Sequence, residues 1–141
     1  MLRIVAAAAL ALVLAAGLLR AAPVEYEIEA PGPSASLKGA LLEPAAVQVP
    51  VVLIIPGSGH VDRNGDSPKI LKASSYRLLS EALAKRGVAT VRIDKRGMFA
   101  SAAAVADANA VTMDDYAADV HAWVDAVKKT TGAGCVWLLG A

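Results

Sequence analysis

Apolar and polar residues alternate strictly along Val24-Glu25-Tyr26-Glu27-Ile28-Glu29, the pattern of a strand with one face buried and one wet. Pro31-Gly32-Pro33 enforces a turn, and a second extended stretch from Leu37 to Leu42 is stopped by Pro44. Residues 24–48 thus read as an antiparallel hairpin at a sheet edge. After Pro50 the pattern changes to the unbroken β-branched run Val51-Val52-Leu53-Ile54-Ile55, as expected of a strand covered on both faces. A loop rich in Gly, Asp and Asn follows. Ser74 or Ser75 then opens a helix with apolar positions at Leu78, Leu79, Ala82 and Leu83, and Gly87 closes it.

Val88 to Ile93 predicts a second short strand, and an Ala-rich loop leads from it to Thr112. Thr112 with Asp115 three residues on resembles a capping box with Asp in place of Glu. The helix it opens places Tyr116, Val120, Trp123, Val124 and Val127 on one stripe and ends at Gly132 and Gly134. Val136 to Leu139 is expected to be a third buried strand, stopping at Gly140-Ala141, with Cys135 a buried small hydrophobe beside it. The order strand, helix, strand, helix, strand with right-handed crossovers makes these three strands parallel, an α/β architecture. The last strand would lack a helix on its second face, so a further segment is expected after Ala141.

The first residues carry a different signal. Met1-Leu2-Arg3 is followed by the apolar run Ile4 to Leu19, 16 residues long, and then by small residues before Pro23. A spanning helix needs roughly 20. Residues 1–21 therefore read as a secretory signal peptide, with cleavage after Leu19-Arg20-Ala21 or Ala15-Ala16-Gly17, and the mature protein as periplasmic or secreted. No stable membrane span is expected after cleavage; an uncleaved first segment tethering the protein to the membrane is the lesser alternative.

Composition narrows the partners. The chain has 141 residues and is 56% hydrophobic, much of that Ala, so the core is aliphatic and small. A net charge of +1, spread along the chain, gives no footprint for nucleic acid. The single cysteine cannot close an internal disulfide, and no Cys/His spacing implies a metal site.

The densest polar segment is Pro56-Gly57-Ser58-Gly59-His60-Val61-Asp62-Arg63-Asn64-Gly65-Asp66, directly after the first central strand. That is where ligands bind in open α/β sheets. A phosphate loop fits poorly, because Asp62 stands where a third Gly belongs and no Lys follows in register. A calcium loop built on Asp62, Asn64 and Asp66 lacks its Gly, replaced by Ser67, and its closing Glu, replaced by Ala73. The remaining reading is an oxyanion hole in which Gly57 and Gly59 allow a tight turn and the Ser58 N–H is the donor.

Taken in order, Pro56-Gly57-Ser58-Gly59 with Asp62-Arg63-Asn64-Gly65, Val91-Arg92-Ile93-Asp94-Lys95-Arg96-Gly97, Asp114-Asp115-Tyr116 and Val136-Trp137-Leu138-Leu139-Gly140 resemble the exported bacterial α/β-hydrolases of the serine aminopeptidase-like group. The resemblance implies that residues 22–141 are the N-terminal part of an α/β-hydrolase sheet, truncated before the nucleophile elbow. In such relatives the last strand is followed by Gly-His-Ser-x-Gly, whose serine is the nucleophile, with acid and histidine much further on. Here Ala141 stands where that His is usual. The implied function is a serine hydrolase acting on small-molecule esters or amides without a cofactor, the 141-residue chain itself being inactive. Gly57, Ser58 and Gly59 would form one side of the oxyanion hole, and His60, Asp62 and Arg63 the substrate-side loop. Ser58 has no base pattern near it and reads as a donor, not a nucleophile. Asp94 reads as a loop-fixing residue rather than a triad acid, and His121 as a surface or boundary residue. A second hypothesis is a non-catalytic exported module that holds an anion or other ligand in the same loop.

Overall fold

The structure is a computed structural model that describes residues 22–68 and 70–141, with only the backbone of Leu71. The expected signal segment, 1–21, lies outside the described residues. Among the described residues there are seven strands and two α-helices: β1 (Val24–Ala30), β2 (Leu37–Glu43), β3 (Val51–Ile55), β4 (Asp66–Ser67), β5 (Leu71–Lys72), α1 (Ser75–Ala84), β6 (Ala89–Ile93), α2 (Met113–Thr131) and β7 (Trp137–Gly140). Five strands form one sheet in the order β1-β2-β6-β3-β7, and β4 and β5 form a small separate ladder inside the polar loop. β1 pairs antiparallel with β2, and β2 antiparallel with β6. β3 runs parallel to β6 on one side and to β7 on the other. The Ala-rich stretch expected as a loop instead winds into two short 3-10 turns, Phe99–Ala104 and Ala108–Ala110.

The pleat sorts side chains onto two unlike faces. The register sets Ile28 opposite Gly39, Gly39 opposite Ile93, Leu41 opposite Val91, and Leu53 beside Val91. This face is the apolar one. Ile28, Leu37, Leu41, Val51, Leu53, Val91 and Ile93 pack there with Trp123 and Val127 from α2. Trp123 is fully buried, and truncating a buried Trp typically costs about 3–5 kcal/mol. The opposite face carries Arg92 and Thr90 from β6, both buried, and the glutamates of β1. Each glutamate meets a base: Glu25 pairs with Arg92, Glu27 with Arg63 and Glu29 with Lys38.

This polar face explains a departure from the sequence pattern. α1 does not bury its leucines, for Leu78 and Leu79 are exposed. Its buried positions are the small residues Ser80 and Ala84, which leave room for the long Arg92 side chain beneath. A second departure concerns β7, expected to be buried: Trp137, Leu138 and Leu139 are exposed, at 65% for Trp137, as is Cys135. β7 is the edge strand of the sheet, and neither helix is among the elements packed extensively on it.

α2 starts where its sequence says. The Thr112 hydroxyl accepts from the Asp115 N–H at 3.2 Å, while the Asp115 carboxylate accepts from the Thr112 N–H at 2.9 Å. These bonds, first from Thr112 and then from Arg96, hold the Asp115 carboxyl below its usual range. A depressed carboxyl contributes stability above its unfolded-state value near 3.8 and loses it as pH falls through the folded value. Replacing Thr112 by Ala should lower the unfolding free energy by about 1 kcal/mol in urea titrations. Asp115→Ala should lower the melting temperature at pH 7, with the difference from wild type shrinking steadily toward pH 3; a constant difference would contradict this origin.

Candidate active site

β3 delivers the chain to the carboxyl edge of the sheet, and the Pro56-Gly57-Ser58-Gly59-His60 turn follows at once. Gly57 is half-buried, whereas Ser58, Gly59 and His60 are exposed. A Cβ on Gly57 would overlap the carbonyl oxygen of Ala141, so only glycine admits this approach. The Ala141 N–H donates to the Ile55 carbonyl at 3.2 Å, continuing the parallel pairing of β7 with β3. The turn after β3 and the end of β7 therefore stand side by side. Gly59 has φ +89°, a conformation that glycine adopts without strain.

Three consecutive residues after β6 secure the surroundings. Asp94, buried, accepts from the Arg63 N–H at 2.8 Å and from Arg63 Nε at 2.9 Å, while its own carbonyl accepts from the Ser101 hydroxyl at 3.0 Å. The Lys95 ammonium donates to the carbonyls of Gly57 at 2.6 Å and Gly59 at 2.8 Å. Burial pushes that ammonium below the ordinary lysine range. Arg96 grips Asp119 of α2 with two bonds, 3.0 Å from Nε and 2.6 Å from Nη2, and reaches Asp115 at 2.8 Å. The hydrogen bond to Asp119 is the main reason its guanidinium is held above the usual range. Beneath the turn lies a mostly apolar cavity of about 400 Å³, bordered by Ile55, Gly57, Lys95, Met98, Tyr116 and Trp123.

The remaining sequence candidates take separate places. Asp62 Oδ1 accepts from the N–H groups of Asn64 at 2.8 Å and Asp66 at 2.9 Å, so this carboxylate shapes its own loop. Asp66 caps the Ser74 N–H at 2.6 Å, and Asn64 accepts from Arg92. The three side chains considered for a cation are all turned onto protein donors. Arg63 points to Asp94 and Glu27. His60 packs against Phe99 with the rings tilted by 43° and their centres 4.4 Å apart, at the rim of the turn. His121 is exposed on α2. Sequence reading missed Asp119, although its place four residues after Asp115 puts it on the same helix face. It also missed the link from Lys95 to the glycine turn, which nothing in the spacing announces. Because Asp94 and Arg63 are a largely buried pair, Asp94→Ala should cost about 3 kcal/mol by leaving Arg63 unmatched. A loss below about 1 kcal/mol in urea unfolding, the level of a surface pair, would contradict that reading.

No protein-family model matches the sequence, and no curated protein matches it. Solved structures do. The fold is similar to dienelactone hydrolase from Anabaena variabilis, with a TM-score of 0.64 and 23% identity, over 86% of this chain and 53% of that one. It is similar to a cold-adapted esterase from an Arctic intertidal metagenomic library, with a TM-score of 0.59 and 17% identity, over 82% and 49%. A lidless α/β serine hydrolase from Xanthomonas campestris gives a TM-score of 0.53 and 24% identity, over 87% and 52%. The chain thus spans about half the length of these structures. The edge hairpin and the parallel β3, β6 and β7 with their helices form the N-terminal part of an α/β-hydrolase fold.

Proposed function

We propose that this chain is the opening portion of an exported serine hydrolase acting on ester or amide bonds of small molecules. The observation that carries the reading is the meeting of the Gly57-Ser58-Gly59 turn with the Gly140-Ala141 end of β7. A serine just beyond Ala141, on a strand-to-helix elbow, would stand beside that turn. Its hydroxyl oxygen would attack the acyl carbon, passing its proton to a histidine further along the chain. The Ser58 N–H would face the oxygen that becomes negative, together with the N–H of the residue after the serine. Collapse would expel the alcohol or amine, protonated by the same histidine, and water would release the acid from the acyl-enzyme.

Neither described histidine fills the base role in this scheme, since His60 packs against Phe99 and His121 lies out on α2. Asp94 is committed to Arg63. Base, acid and nucleophile are accordingly assigned to later residues, and the 141-residue chain is expected to show no turnover. Export rests on the signal pattern of residues 1–21 and makes the mature protein periplasmic or secreted.

Reading the source DNA past codon 141 in all three forward frames should reveal Ser-x-Gly at once and Asp and His codons later. The protein that includes them should take up a serine-directed phosphonate once per chain, and the 141-residue chain should take up none. Stoichiometric labelling of the 141-residue chain would contradict the proposal. So would the lack of Ser-x-Gly in every frame, which would favour the non-catalytic anion-binding module.

A further inference from the structure

The Lys95 ammonium sits between two carbonyls of the glycine turn, 2.6 Å from that of Gly57 and 2.8 Å from that of Gly59. The described peptide bonds are trans, so the C=O of one residue and the N–H of the next point in opposite directions. Holding the Gly57 and Gly59 carbonyls on Lys95 therefore turns the Ser58 and His60 N–H groups away from it. In the sheet β3 lies between β6 and β7. Away from Lys95, which leaves β6, is toward the β7 side, where Ala141 stands against Gly57. Among the described residues none accepts a hydrogen bond from the Ser58 or His60 N–H.

We propose that Lys95 is a positioning residue of the oxyanion turn, fixing the Ser58 and His60 N–H groups as donors turned toward the β7 side. This rests on the reading of the turn given above and deepens it. A turn with two glycines and an exposed tip samples many backbone states unless something outside it selects one. A lysine suits the task because its compact ammonium carries several donors on a flexible stem and can serve two carbonyls at once. Its partial burial removes water that the carbonyls replace, while burial itself lowers its proton affinity. A positive charge behind the peptide groups also polarises their N–H bonds toward an anion in front.

The experiment uses the isotope-labelled 141-residue chain, aligned for residual dipolar couplings, as wild type, Lys95→Met and Lys95→Arg. In wild type the Ser58 and His60 N–H couplings should fit one fixed orientation. In Lys95→Met they should collapse toward zero and the Gly57 and Gly59 carbonyl resonances should move together, while couplings in β3 and α2 and the urea midpoint stay near wild type. Lys95→Arg should restore part of the orientation. Unchanged couplings in Lys95→Met, or changes that merely follow β3 and α2, would overturn the proposal. Should Lys95→Met fail to fold, wild type decides alone: a slowly exchanging Lys95 ammonium bonded to both carbonyls upholds the clamp, and a freely exchanging one overturns it. No turnover is read, so failure of the hydrolase reading leaves this result standing, and the reverse holds equally.

Discussion

The short segment Asp94-Lys95-Arg96, where β6 leaves the sheet, holds everything around the proposed site. Asp94 fixes the polar loop through Arg63, Lys95 fixes the glycine turn through two carbonyls, and Arg96 fixes α2 through Asp119 and Asp115. Three separate parts of the chain are thereby referred to one rigid strand end. A turn made of glycines has little stiffness of its own, so its geometry has to be imposed from neighbours that are themselves buried and paired. Asp94 and Arg96 are both buried, and each is matched by an opposite charge. Removing one member of such a pair is costly because the other is left unmatched.

The two faces of the sheet divide the labour. The face under α2 is a conventional aliphatic core around Trp123 and carries the cohesion of the molecule. The face under α1 is ionic, with Arg92 buried between Glu25 and Asn64. Its Nε and the Thr90 hydroxyl find no partner there among the described residues, a cost the apolar face must offset. The ionic face also links the edge hairpin to the polar loop, since Glu27 shares Arg63 with Asp94.

Much of this was legible in the sequence, and the failures have physical reasons. The run Val51 to Ile55, the cap at Thr112 and the stripe through Trp123 and Val127 are local patterns, and local patterns survive into the structure. Leu78 and Leu79 misled because periodicity marks an apolar face without saying what lies opposite it; opposite α1 lies an arginine, which demands small residues such as Ser80. Burial of β7 was read from its apolar run and that of Cys135 from its residue type, yet burial depends on what packs against a strand, and β7 is an edge. The glycine turn was recognised from its residues, while Lys95 was not tied to it, because the two are 38 residues apart and only the parallel pairing of β3 with β6 brings them together.

The glycine turn and the end of β7 converge on one side of β3. Nuclear Overhauser contacts between the Gly57 α-protons and Ala141 in the labelled chain test it most directly. Such contacts are expected, together with slow exchange of the Ala141 amide hydrogen bonded to Ile55. An Ala141 with random-coil shifts and no contact to Gly57 would contradict it, and would remove the geometric ground for an acyl-transfer site at this edge of the sheet.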